Sequence, residues 1–142
     1  MIRIPQTGGT MSNSFLVVDD SKLHHQMYRV VFSRGALAGS TVYTATDGRE
    51  GYALLAAHPE LTLVFLDLNM PEMNGLELLE RRRREKLHLH IPVVLVTTEG
   101  TAEDEARGRA AGAWEYLRKP FTPKDVDRMV ARALAHGASR SA

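Results

Sequence analysis

The chain has 142 residues, of which 44% are hydrophobic and 25% charged, with a formal net charge of +1 and no cysteine. That size and balance describe one soluble domain with a real core, and the charge gives no reason to expect nucleic acid or membrane as partner. Without cysteine there are no disulfides and no thiol chemistry, and no apolar run approaches the roughly 18 residues needed to span a bilayer.

Residues 1–13 contain Gly8-Gly9 and polar side chains but no continuous apolar segment, so they read as a flexible leader and not as a secretion signal. Met11 offers an alternative start. The domain proper is expected over residues 14–136, with a short tail at 137–142. Five strands alternate with five helices along it. The strands are predicted at Phe15 to Val18, Thr41 to Thr44, Leu61 to Leu66, Val93 to Val96 and Glu115 to Leu117. The third and fourth are almost unbroken apolar runs, as in strands covered on both faces. Strand–helix alternation at this spacing predicts a parallel α/β sheet with right-handed crossovers.

Ser21 caps a first helix whose Leu23, Met27, Val30 and Val31 share helical spacing. Asp47 with Glu50 predicts a capping box for the second. Gly75 precedes the third. The fourth, Thr101 through Ala111, has no large apolar residue, and its internal Gly108 costs about 1 kcal/mol. It should form, with acids first and arginines last, yet be weakly held: either a moving part or a plain surface helix. Thr122-Pro123, with Asp125 following, opens a fifth helix striped by Val126, Met129, Val130, Ala133 and Leu134.

Chemistry gathers at the strand ends. In open parallel α/β sheets, ligands bind at the carboxyl ends of the strands. Asp19-Asp20 follows the first strand, Asp67 the third, Thr97 the fourth and Lys119 the fifth. Singly each is ordinary: an aspartate after a strand is usually a turn former. Together they make a site. Two carboxylates about 5 Å apart repel by roughly 3 kcal/mol at an effective dielectric near 20. Either one keeps its proton or a cation neutralises the group, and oxygen donors favour Mg²⁺. Asp67 is then a nucleophile for a phosphoryl group, with Lys119 and the Thr97 hydroxyl available to its oxygens.

With these residues assembled, the chain resembles the receiver domain of bacterial two-component response regulators, of the chemotaxis-receiver type. The resemblance spans about residues 14 to 136. It is carried by Val17-Val18-Asp19-Asp20-Ser21, by Leu66 through Gly75, by Val96-Thr97-Thr98-Glu99 and by Gly112 through Phe121. It implies a flavodoxin-like, doubly wound five-stranded sheet of order 2-1-3-4-5, an order the general fold rules attach to chemotaxis receivers. It further implies that Asp67 accepts phosphate from a sensor histidine kinase or a histidine phosphotransfer protein. Asp20, Asp67 and the Asn69 carbonyl would ligate Mg²⁺, with Asp19 reaching it through water. Thr97 and Tyr116 match the family's switch pair, the ring turning inward behind the threonine, and Lys119-Pro120 matches a cis peptide bond.

The implied output is a changed surface over the fourth helix, fifth strand and fifth helix, read by a downstream protein target or used in a phosphorelay. No DNA-binding domain is expected, the placement is cytoplasmic, and a phosphorylation-dependent dimer is one use of that surface. No enzyme activity is expected beyond self-catalysed phosphoryl transfer and loss. The alternative is a Mg²⁺-dependent aspartate-nucleophile phosphatase, but such a motif wants an aspartate where Asn69 stands. A flavin module would need a phosphate loop where Asp19-Asp20 would repel phosphate.

Some positions depart from the common pattern. Thr98 is often smaller in the family, and its branch would restrict access to the phosphate and the inward packing of Tyr116. Asn69 and Glu99 match chemotaxis-type receivers and suggest a short-lived phosphoryl state. Arg82 stands where an aliphatic residue is common; within Arg81 to Arg84 it reads as part of a solvated face in preference to a nucleic-acid patch. His88 and His90 read as exposed, His24-His25 as surface residues in preference to lying near the site and touching a kinase, and Trp114 as either partner anchor or packing.

Overall fold

A computed structural model of the chain describes residues 13–98 and 101–141. The elements run β1 (Ser14–Val18), α1 (Lys22–Phe32), β2 (Thr41–Ala45), α2 (Gly48–Ala57), β3 (Leu63–Asp67), α3 (Gly75–Glu85), β4 (Val93–Thr97), α4 (Ala102–Ala110), β5 (Glu115–Arg118) and α5 (Pro123–Ser141). All sheet pairings are parallel and the order is β2-β1-β3-β4-β5. This is the flavodoxin-like topology expected. Helix α5 continues through residues 137–141, where a tail was expected.

Alternation along the strands builds two apolar layers. Leu16, Val18, Val64, Leu66, Val93 and Leu95 face Tyr52, Leu55, Leu76 and Leu79 of α2 and α3. Phe15, Val17, Phe65, Val94 and Val96 face Tyr28, Phe32, Val126 and Val130 of α1 and α5. Because β1, β3 and β4 are buried along their full length, they need the near-continuous apolar runs seen in the sequence.

The caps are mostly where the sequence puts them. Ser21 accepts from the His24 N–H, and Thr122 and Asp125 bond reciprocally at the start of α5. The Asp47–Glu50 box is not a strict one: Asp47 takes the Glu50 N–H, but Glu50 reaches back to Thr46 instead. The full box forms at α3, between Asn74 and Glu77.

One expectation at the far end of the sheet is overturned. Arg82 is 3% exposed, not solvated. Its guanidinium donates to the carbonyls of Leu87 (3.2 Å), His88 (3.1 Å) and Ile91 (2.7 Å). Helix α3 ends on Lys86 in the left-handed region, and the tight loop that follows turns its carbonyls inward; a planar five-donor fork suits them. His88 and His90 are not idle either. Their Nε2 atoms lie 3.2 Å from Ala56 O and 2.9 Å from Pro59 O, tying this loop to the end of α2.

Candidate functional site

Parallel strands bring their carboxyl ends to one edge, and the sequence loads that edge with polar groups. β3 ends in Asp67 and β4 in Thr97, both buried. β1 runs out into buried Asp19 and exposed Asp20. Lys119 follows β5, held by its backbone N–H on Thr97 O at 2.8 Å. Its peptide bond to Pro120 is cis. Gly75 lets α3 approach: a Cβ there would fall 2.7 Å from Asp67 O.

Asp19, Asp20 and Asp67 each offer an oxygen within 4.8 Å of the others. At an effective dielectric near 20 each ionised pair repels by roughly 3 kcal/mol. The protein offsets part of this. Lys119 Nζ lies 3.2 Å from Asp67 Oδ2 and 3.6 Å from Asp19 Oδ2. Backbone N–H groups take the other oxygens, Ser21 on Asp19 Oδ1 (2.8 Å) and Asn69 on Asp67 Oδ1 (3.2 Å). Burial, then the charge of Asp19, still hold the Asp67 carboxyl above its ordinary range against the pull of Lys119 and Asn69. The field reaches further: burial and then Asp19 and Asp67 push the Tyr28 hydroxyl well up.

Three carboxylates facing one ammonium leave excess negative charge, and every donor in the cluster is a hard oxygen. Those residues fit a small divalent cation such as Mg²⁺ and do not fit a thiolate- or imidazole-seeking metal.

For His24 the structure favours a place near the site over the preferred surface reading. Its Nδ1 lies 3.0 Å from Asp19 Oδ2, so it belongs to the site and not to the open surface. As the third residue of α1 its side chain reaches back past the cap, the direction N3 side chains take in a capping box. His25 is buried, with Nε2 unpartnered among the described residues.

Tyr116 is half-buried, and its hydroxyl donates to Asp104 O on α4 at 2.6 Å. Burial, then Asp104 and Glu105, raise its pKa. The ring is thus docked against α4. Thr98 is exposed, Asn69 is exposed, and Glu99 lies outside the described residues. Beside Tyr116, Arg109 pairs with Glu105 and Glu115, and Arg132 with Glu115 at 2.7 Å. Trp114 is half-buried under the Arg132 guanidinium, 5.3 Å from the ring centre, which favours packing.

Residues 15–131 match the family described as response regulator receiver domain. The chain belongs to that family. This receiver is 35% identical over 127 residues to a chemotaxis protein CheY homolog of Campylobacter jejuni, covering 89% of the chain and 96% of that protein. It is 37% identical over 109 residues to chemotaxis protein CheY1 of Helicobacter pylori, covering 77% and 86%. Among solved structures, a CheY-like receiver from Methanospirillum hungatei superposes with a TM-score of 0.81 at 25% identity, covering 92% of this chain and 99% of that one. CheY4 of Vibrio cholerae gives 0.76 at 33%, covering 87% and 99%. A phosphoacceptor role in two-component signalling is supported for this receiver. No helix among the described residues is long and apolar enough to cross a membrane.

Proposed function

We propose that Asp67 takes a phosphoryl group from a sensor histidine kinase or a histidine phosphotransfer protein, and that the modified receiver then engages a downstream protein. The observation that carries this is the buried Asp67 carboxylate sharing its Oδ2 with Lys119 beside Asp19 and Asp20. An Asp67 oxygen attacks phosphorus; the new O–P bond replaces the donor's N–P bond, whose electron pair stays on the imidazole nitrogen. Such transfer asks for alignment and charge neutralisation more than for bond-making groups. Backbone N–H groups and Lys119 orient the carboxylate, and Lys119 is placed to pair with a phosphoryl oxygen. Thr97, buried at the end of β4, has a hydroxyl to offer another.

Asp20, Asp67 and the Asn69 carbonyl would hold Mg²⁺, with Asp19 behind them, and the ion would supply the missing positive charge for an anionic donor. The Asn69 position lacks the second aspartate that an aspartate-nucleophile phosphatase requires. Tyr116 of β5, hydrogen-bonded to α4, would link the site to the α4–β5–α5 face, which we assign to the partner or, as its other use, to a phosphorylation-dependent second copy.

The test is intact-mass measurement after acetyl phosphate with Mg²⁺, and spectra with beryllofluoride. One added phosphoryl group, absent in Asp67→Asn, is expected. An unchanged mass and unchanged spectra in the wild type overturn the reading.

A further inference from the structure

Gly108 is a poor choice for a helix interior, since glycine is the weakest helix former after proline. It is also the buried residue of α4, the rest of whose side chains are exposed or half-buried. A Cβ at this position would lie 2.7 Å from Leu95 Cδ1, 2.8 Å from Tyr116 Oη and 2.9 Å from Tyr116 Cε1. Leu95 and Tyr116 are themselves register partners on β4 and β5. The bare Cα is therefore a notch, and the Tyr116 ring sits in it.

The hydrogen bond of the ring reinforces that seat. Tyr116 donates at 2.6 Å to Asp104 O, the carbonyl that helical geometry also assigns to the Gly108 N–H. One turn of α4 thus receives the ring edge and its hydroxyl together. Other links of α4 among the described residues include exposed ones, such as the Arg107–Glu80 ion pair at 3.6 Å and the Arg109 bond to Trp114 O at 3.4 Å.

We infer that Gly108 is a positioning residue for the switch: it makes the seat of Tyr116 against α4, so that the ring and α4 shift as one element. The consequence for signalling rests on the reading of Tyr116 as the switch residue; the seat itself does not. With an alanine here, the ring has to leave the notch or the helix has to lift. Either way the resting state loses the contact that holds the ring against α4, and the population shifts toward the displaced form.

The experiment uses the full chain without Mg²⁺ first. In Gly108→Ala, the Tyr116 ring resonances are expected to move and α4 amides to exchange several-fold faster, although alanine is the better helix former. In a Tyr116→Ala background the sign reverses, and Gly108→Ala slows α4 exchange. Unmoved ring resonances, or the same sign in both backgrounds, overturn the inference. If Gly108→Ala alone fails to fold, the double variant with Tyr116→Ala is expected to fold again, and its failure also overturns it. Beryllofluoride with Mg²⁺ then separates the layers. No binding by the wild type defeats the proposed function and leaves the seat standing. With binding, Gly108→Ala is expected to raise the apparent affinity several-fold, and an unchanged affinity overturns the coupling of seat to switch.

Discussion

Lys119 Nζ stands 3.2 Å from Asp67 Oδ2, a cation brought from the end of β5 to a buried carboxylate at the end of β3. The same ammonium is 3.6 Å from buried Asp19, so one charge serves two acids. Lys119→Met leaves them backbone N–H groups and, for Asp19, His24, but no ammonium. The expected loss is about 2 to 3 kcal/mol at neutral pH, below the roughly 3 to 5 kcal/mol for breaking one side of a fully buried pair because those partners remain. The Asp67 carboxyl, which Lys119 pulls down, then titrates higher still in the folded protein, so the loss closes as pH falls into the carboxylate range. Urea unfolding at neutral and acid pH checks this. A loss that ignores pH would mean only packing was removed.

Asp67→Asn tests the opposite side of the same balance. Burial and Asp19 raise the Asp67 pKa above its unfolded value. A carboxyl of that kind favours the folded state at low pH, and the favour is lost as pH rises through the folded pKa. The asparagine variant is therefore expected to be more stable at neutral pH by about 1 to 2 kcal/mol, with the gap vanishing in acid. Thermal melts across pH measure it. Mg²⁺ should narrow the gap by stabilising the wild type more, and equal Mg²⁺ responses would count against the metal assignment.

The phosphorylated state is expected to decay over minutes at neutral pH with Mg²⁺. Asn69 and Glu99, two positions after the phosphoacceptor and the Thr97 position, are the residue types that the resemblance to chemotaxis-type receivers implies for attacking water, and Asn69 is exposed. Loss of the phosphoryl mass with time is the measurement. Persistence for many hours would contradict it.

Strand ends were readable because buried parallel strands need apolar runs and those runs stop at Asp19, Asp67 and Thr97. The topology and the Thr122 cap followed from alternation and turn chemistry. His24 was left between the site and the surface because its role depends on a side chain reaching back across the α1 cap to Asp19, a three-dimensional relation that no periodicity encodes. Gly108 was read as a local weakness because the ring that needs its empty space arrives from β5, eight positions later in the chain. Arg82 was a different failure. It lies three and four residues after Leu79 and Leu78, squarely on the buried stripe of α3, but its place among four arginines hid that phase.

That buried arginine makes the last prediction. Burial lowers its pKa to about 10, still well above neutral, so it enters the fold charged. Three carbonyls, on Leu87, His88 and Ile91, compensate it. Arg82→Leu would remove the charge but leave those acceptors facing an apolar side chain, at an expected cost of about 3 kcal/mol. Arg82→Lys should recover only part, since an ammonium cannot span three carbonyls as a planar fork does. The loop also carries His88 and His90 to the end of α2, so hydrogen exchange should rise at both places. All of this lies at the end of the sheet opposite Asp67. Beryllofluoride binding should therefore survive in folded Arg82→Leu, and its loss would show that the loop reaches the site through the sheet.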